Sequence, residues 1–294
     1  MVRVKIPATT ANMGAGFDSF GMAFDLFNEI VVEASDRFSI ISDSPVPKTK
    51  DNLIYKSILH FYTQIGRPVP HLRITQTDRI PFTRGLGSSA ACVVGGIVAA
   101  NALEGNLVDQ DALLQMACQM DGHPDNVAPA LLGGLVVAVA ELDKVSYVKI
   151  DPPDALAFIS IVPDFVLSTK KARGVLPNCY AREDVVFNVS RAALFVASIM
   201  SGKWQNISTA LGDRIHQPYR NPLVPNMENI FKQSMELGAL GVYLSGAGPT
   251  VMAIVLKSHM QTFLTNIVQY LETLNDKWCA QPMHPNFNGT EIIL

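Results

Sequence analysis

Pro81-Phe-Thr-Arg-Gly-Leu-Gly-Ser-Ser-Ala-Ala91 places two glycines directly before a long apolar run, Ser88 to Leu103. That run reads as a helix that is apolar nearly all round and therefore buried. Its small residues, Ala90, Ala91, Gly95, Gly96 and Ala99, let other elements approach closely. The first N–H groups of a helix have no internal partner, and the aligned peptide dipoles leave partial positive charge there. A glycine-lined entry lets a ligand reach those groups, so the segment suits a triphosphate. Ser88 and Ser89 add hydroxyls where phosphate or Mg²⁺ would sit.

Two other readings compete. The glycines could simply ease packing. Gly85-Leu86-Gly87-Ser88-Ser89-Ala90 also fits the G-x-G-x-x-A of dinucleotide folds, with Glu104 near the offset of a ribose-binding acid. Against this, Asp78 to Arg84 makes a poor central parallel strand, because polar residues and Pro81 interrupt it. A Walker-A loop is absent: Gly202-Lys203 has no upstream glycine at the required position and is followed by Trp204. No G-x-S-x-G, HExxH or EF-hand pattern occurs.

On either side of this segment the chain mixes strands and helices without regular βα alternation, which favours α+β over a doubly wound parallel sheet. Strands are expected at Val2–Ile6, Ile30–Ala34, Phe38–Ile41, His71–Thr77, Leu135–Val139, Ala157–Val162, Gly241–Leu244 and Val251–Leu256. Asp51 or Asn52 caps a helix carrying Ile54, Ile58, Phe61, Tyr62 and Ile65 on one face. Further helices follow Asp109, ending at Gly122, and span about 183–200, 226–237 and 260–274. Asp151-Pro152-Pro153 marks a boundary, giving domains 1–152 and 153–294.

The 294 residues are 48% hydrophobic, enough for a large core. With 17% charged residues and a net charge of −3, composition gives no support for a nucleic-acid surface or a polybasic membrane surface. Uncharged Gly85–Leu103 is interrupted by glycines, serines and Asn101, so it reads as a core helix rather than a membrane span. Cys92, Cys118, Cys179 and Cys279 form no CxxC pair, and the N-terminus lacks a signal-peptide apolar region; a cytoplasmic location is expected.

The loop Pro81-x-x-x-Gly85-Leu86-Gly87-Ser88-Ser89-Ala90-Ala91 resembles the phosphate loop of the GHMP small-molecule kinases. Pro7-Ala-Thr-Thr-Ala-Asn-Met-Gly-Ala-Gly-Phe-Asp18 resembles that family's first motif, and Leu244-Ser-Gly-Ala-Gly-Pro-Thr250 its third. Gly122-His-Pro-Asp-Asn-Val-Ala-Pro129, Ser168-Thr-Lys-Lys-Ala-Arg173 and His216-Gln-Pro-Tyr-Arg220 resemble segments of the branch acting on homoserine. The resemblance implies a two-lobed α+β fold with mixed sheets, domain 1–152 binding ATP, and an active site between the lobes. It further implies transfer of the γ-phosphate of ATP to L-homoserine on the route to threonine, Mg²⁺ as metal, and a homodimer.

By the same resemblance, Pro81, Phe82, Thr83, Arg84, Gly85, Leu86, Gly87, Ser88, Ser89, Ala90 and Ala91 hold the nucleotide phosphates, and Asn52 lies near its base, although it also suits a helix cap. Ser89 and Asp121 are the metal ligands. The family usually has glutamate two residues before His123; Asp121 is a methylene shorter, so its contact could run through water. Arg173 and Arg220 clamp the substrate carboxylate, since guanidinium matches carboxylate in bidentate geometry. Asn12, Asp18, His123 and Asn126 complete the substrate contacts, with Asp18 on the ammonium or on the hydroxyl as base. Thr169 orients Arg173 or touches the γ-phosphate; Asp18, Asn12 and Thr169 are the catalytic candidates. Ala15 stands where relatives commonly carry proline, and Gly246 and Gly248 keep the C-terminal turn near the loop.

Overall fold

The structure, a computed structural model, describes residues 1–142 and 144–293. In chain order, β1 (Val2–Ala11), β2 (Phe20–Ala34), β3 (Ser39–Ile41), α1 (Leu53–Gln64), β4 (Leu72–Thr77) and α2 (Ser88–Leu103) come first. They are followed by α3 (Gln110–Asp121), α4 (Pro124–Leu132), β5 (Leu135–Ala140) and β6 (Val145–Ile150). The second half holds β7 (Leu156–Pro163), α5 (Thr169–Gly174), α6 (Arg182–Ser201), α7 (Ile207–Ala210), α8 (Gln217–Arg220) and α9 (Met227–Glu236). It closes with β8 (Gly241–Leu244), β9 (Val251–Leu256), α10 (Met260–Leu271), β10 (Trp278–Met283) and β11 (Glu291–Ile293).

The strands form two sheets, as an α+β chain should. A 7-stranded sheet runs β11-β1-β2-β4-β3, with β5 on the early part of β2 and β6 beyond it. Among the described residues only β3 and β4 pair in parallel there. The second sheet, β10-β7-β9-β8, is antiparallel throughout. The connection after Pro152 leads from the first sheet to the second, and β11 then returns to pair with β1.

Three apolar clusters organise the molecule. One lies between the first sheet and α1–α4, with Ile6, Ile30, Ile58, Phe61, Leu86 and Ile97 fully or almost fully buried. A second joins the two halves through Phe20, Met22, Phe24, Phe158, Phe195 and Met252. The third sits under α9 and α10 on the far face of the second sheet. Because the second cluster covers the other face of β2, that strand starts at Phe20, well before the expected Ile30, with both faces buried.

Helix α2 is the expected core helix: 13 of its 16 residues are buried. Its small residues explain how it fits. A Cβ on Gly96 would lie 2.7 Å from the Ile54 carbonyl oxygen of α1. Helix α1 is capped by Asn52 rather than Asp51, with Asn52 Oδ1 accepting from the Ile54 N–H at 2.9 Å. Helix α3 follows its expected cap, Asp109, and stops at left-handed Gly122. Helices α4, α5, α7 and α8 and strands β6, β10 and β11 lie outside the expected elements.

Gly96→Leu should therefore force α1 and α2 apart and destabilise the fold by about 2–3 kcal/mol. Urea unfolding measures this, and an unchanged midpoint would contradict the packing.

Candidate active site

A cleft of about 640 Å³ opens where the two sheets meet, within the usual range for a ligand site. The start of α2 forms its floor. Gly85 and Gly87 have φ of 74° and 73°, the left-handed region, and residues 78–87 form turns rather than a strand. The dinucleotide reading, which needs a parallel strand there, fails on that point. Helix α2 returns its first backbone bond from the Ala91 N–H to the Gly87 carbonyl at 2.9 Å, leaving the N–H groups of Ser88, Ser89 and Ala90 without helical partners.

Three distant segments lock this helix start. Thr9 N–H donates to the Leu86 carbonyl at 3.1 Å, and Gly246 N–H to the Ala11 carbonyl at 3.0 Å. The hydroxyls of Thr10 and Ser245 meet at 2.8 Å, and Ser245 Oγ donates to the Gly85 carbonyl at 2.5 Å. Asn12 Nδ2 donates to the Gly246 carbonyl at 2.8 Å while its Oδ1 accepts from the Asp18 N–H at 2.9 Å. Asn12 thus lines the cleft with its side-chain amide already engaged, positioning Asp18.

Of the loop residues, Phe82, Thr83, Arg84, Gly85, Gly87, Ser88, Ser89 and Ala90 line the cleft. Leu86 and Ala91 face the core, so only their backbones are near it, and Pro81 stands at the entry, off the lining. The Arg84 guanidinium braces the loop against the other half, donating to the carbonyls of Pro163 at 3.0 Å, Phe82 at 3.3 Å and Asp164 at 2.5 Å. Asn52 lines the far end beside Val46, Pro47 and Gln76; besides capping α1 it donates to the Pro47 carbonyl and to Gln76 Oε1.

Opposite the loop stand the charges. Arg173, on α5, grips Asp18 in a fork, Nη2 to Oδ1 at 2.6 Å and Nη1 to Oδ2 at 3.2 Å. Thr169, one turn earlier, lines the cleft, but the partner that orients Arg173 is Asp18. Arg220 is almost wholly buried. It donates from Nε to the Ala172 carbonyl at 3.2 Å and from Nη1 to the Gly246 carbonyl at 2.9 Å and His216 Nδ1 at 3.2 Å. Both guanidinium carbons lie over the Phe17 ring, 5.6 Å and 5.4 Å from its centroid. Burial, then repulsion from Arg173, pulls the Arg220 pKa down to about 10, so it keeps its charge at neutral pH and would gain from an incoming anion.

Two histidines are held in opposite states. His123 Nδ1 lies 3.4 Å from Asp121 Oδ2 and 3.3 Å from Asp125 Oδ1, at ion-pair distance but aligned with neither oxygen. Burial disfavours its charge, yet the two carboxylates outweigh burial and raise the pKa to about 10. His216 is fully buried. Its Nε2 faces the Gly14 carbonyl at 2.8 Å and its Nδ1 faces Arg220, which fits a neutral ring with the proton on Nε2. Burial lowers its pKa to about 4.

Asp125, Asp213 and Phe17 have no role in the sequence reading. Asp125 is buried, and its Oδ1 accepts from Asn126 Nδ2 at 3.2 Å while Asn126 Oδ1 accepts from Thr9 Oγ1 at 2.8 Å. Asp213 accepts from the N–H groups of Ile215, His216 and Gln217 and so fixes the start of α8, which carries Arg220. Its position three residues before His216 was the available signal, an acidic cap ahead of a short helix.

Asp18, His123 and Asp125 lie close enough together for a metal ion, with Asp18 paired to Arg173 and His123 set between two carboxylates. Asp121 and Ser89 offer hard oxygen donors in the same cleft.

Residues 52–134 match the GHMP kinases N terminal domain and residues 195–270 the GHMP kinases C terminal domain. The chain is 42% identical to a homoserine kinase from Clostridium novyi, covering 100% of this chain and 99% of that one. The chain belongs to the GHMP kinase family. Another relative, a homoserine kinase from Clostridium beijerinckii, is 44% identical over 100% of this chain and 99% of its own. The crystal structure of a homoserine kinase from Cytophaga hutchinsonii superposes with a TM-score of 0.90 at 31% identity, covering 99% and 97% of the two chains. A mevalonate kinase structure at 12% identity and a TM-score of 0.70 shares the GHMP fold.

The raised His123 pKa means that its contribution to stability is complete below about pH 6.5 and is lost as pH rises through about 10. The lowered His216 pKa acts the other way: its contribution is present above about pH 6.5 and is lost as pH falls through about 4. In a titration of imidazole NMR shifts from about pH 5.5 to about pH 8.5, these two rings should stay flat, His123 charged and His216 neutral. A midpoint near 6.5 for either would contradict its described surroundings.

Proposed function

We propose that this chain is an ATP-dependent kinase of L-homoserine, feeding threonine synthesis. The observation that carries the reading is the Asp18–Arg173 fork beside Arg220, across the cleft from an open helix start. A zwitterion presents one carboxylate and one ammonium. Homoserine can take over both halves of the fork, its carboxylate replacing Asp18 on Arg173 and Arg220, its ammonium replacing Arg173 on Asp18. A ligand with one of these charges alone leaves the other member of the fork unpaired in the cleft. Sugars and mevalonate cannot make that exchange in full.

In this reading residues 1–152 hold ATP, with phosphates on Gly85–Ser89 and the base towards Asn52, and residues 153–294 supply both arginines. The homoserine hydroxyl oxygen attacks the γ-phosphorus, the bond from that phosphorus to the bridging oxygen breaks, and ADP leaves with the bridging electrons. The hydroxyl proton passes to a phosphate oxygen or to water, since Asp18 serves the ammonium. Free N–H groups at the helix start and the arginines stabilise charge on the transferring group, which is what phosphoryl transfer requires of a protein. Asn126 and protonated His123 are donors along the substrate wall, and Thr169 stands at the mouth. Ser89 and Asp121 would hold Mg²⁺, which when bound neutralises phosphate charge. We place the enzyme in the cytoplasm, without nucleic acid or membrane as partner.

A coupled ADP-release assay across homoserine, serine, mevalonate and galactose should show turnover with homoserine far above the rest; preference for mevalonate or galactose would sink the assignment. Arg173→Ala should raise the homoserine KM at least about 30-fold, equivalent to about 2 kcal/mol, with the ATP KM within about twofold of the parent. Equal losses for both substrates would contradict the clamp. Asp121→Asn should shift the Mg²⁺ activation curve to higher concentration, and an unaltered curve would remove Asp121 from the metal.

A further inference from the structure

The segment that carries Arg173 is pinned at both ends. At its start the Leu167 N–H donates to the Thr83 carbonyl of the phosphate loop at 3.2 Å, just after Pro163 and Asp164, whose carbonyls are held by Arg84. At its end Arg173 grips Asp18, and the Ala172 carbonyl accepts from Arg220 Nε at 3.2 Å. Lys170 sits midway, three residues from Leu167 and three from Arg173. The chain here runs from the loop that would hold the triphosphate to the clamp that would hold the acceptor. A γ-phosphoryl group makes the same crossing.

Lys170 faces that crossing. It lines the cleft together with Thr169 and Arg173, whereas its neighbour Lys171 does not. Three residues apart on α5, Lys170 and Arg173 share one helix face. The other cations along the cleft are occupied. Arg84 donates to three backbone carbonyls, Arg220 to two carbonyls and His216, Arg173 to Asp18, and His123 lies between two carboxylates. Among the described residues Lys170 has no such partner, and α5 carries no acidic residue in its first turn to answer the charge. Like charges one turn apart at a helix start do not favour the fold. An anion held between loop and clamp would turn that arrangement favourable.

We propose that Lys170 is a catalytic residue of the transfer, with its ammonium on the non-bridging oxygens of the γ-phosphate. The proposal rests on the kinase reading above and adds to it a cation committed to neither end of the cleft. In the transition state charge spreads over the three oxygens of the moving phosphoryl group, which then lies between donor and acceptor. An ammonium is a compact charge on a flexible stem, so it can follow that group from ADP to the homoserine oxygen; a guanidinium fixed in a bidentate pair cannot. Lys170 neither gives nor takes a proton. It neutralises charge while the bond to the bridging oxygen breaks and the bond to the homoserine oxygen forms.

The Lys170 side chain is exposed, so Lys170→Met opens no cavity and should melt with the parent. Calorimetry without homoserine reads the γ-phosphate contact directly. The variant should bind the β,γ-imido analogue of ATP at least about tenfold more weakly than the parent, and ADP within about twofold, since ADP has no γ-phosphate. Steady-state kinetics should show kcat lowered about 100-fold with the homoserine KM within about threefold of the parent. Lys170→Arg keeps the charge and should recover most of kcat, and Lys171→Met, off the cleft, should behave as the parent. Equal losses for the imido analogue and ADP, a parent-like kcat in Lys170→Met, an arginine variant no better than the methionine one, or the same defect in Lys171→Met would overturn the proposal. A parent that binds neither nucleotide would sink the kinase reading itself, and the role of Lys170 with it.

Discussion

The site depends on keeping the first turn of α2 open while the chain closes tightly around it. Three segments far apart in sequence converge there: the end of β1, the loop before α2 and the turn between β8 and β9. They are tied by the Thr10–Ser245–Gly85 chain of hydrogen bonds and by Asn12 to Gly246. A Cβ on Gly87 would lie 2.0 Å from Thr9 Oγ1, and one on Gly85 would lie 2.3 Å from the Ser245 carbonyl oxygen. Both glycines also need positive φ, so backbone conformation and steric room agree at the same two positions. The convergence satisfies the loop carbonyls within the protein and leaves the Ser88–Ala90 N–H groups facing the cleft, where anion binding costs little reorganisation.

The opposite wall answers this concentration of donors with fixed charge. Arg220 is buried and tethered; Arg173 is half-buried and pairs with Asp18. Phe17 lies beneath both guanidinium groups and stacks with His216, 5.2 Å between ring centres, so one aromatic ring fixes the spacing of two like charges. His216 stays neutral as a spacer between Gly14 and Arg220, while His123 stays charged between two carboxylates. The same residue type thus serves opposite electrostatic ends because its neighbours differ.

Much of this was legible in the chain. The Ser88–Leu103 helix, the Asp109 cap and the β8–β9 pair follow from apolar period, caps and glycines, while for the cap of α1 the chain offers Asp51 or Asn52 and the structure selects Asn52. Other features needed three dimensions. Helix α4 carries Pro129 inside it, normally a breaker, and the Asp125 carbonyl that Pro129 cannot satisfy packs against Gly21, where a Cβ would lie 1.7 Å away. Strand β10 contains Pro282 and survives as an edge strand. The early part of β2 is buried on both faces, which hides the alternation that marks a strand. The Asp18–Arg173 pairing joins residues that no local pattern links, so both could be read as substrate contacts but not as each other's partner.

The most direct test of the account is a crystal structure with homoserine and a non-hydrolysable ATP analogue bound together. The account predicts triphosphate oxygens on the Gly85–Ser89 backbone and an opened Asp18–Arg173 fork, with the amino-acid carboxylate on Arg173 and Arg220 and its ammonium on Asp18. An intact fork with homoserine bound elsewhere, or phosphates away from the start of α2, would contradict it.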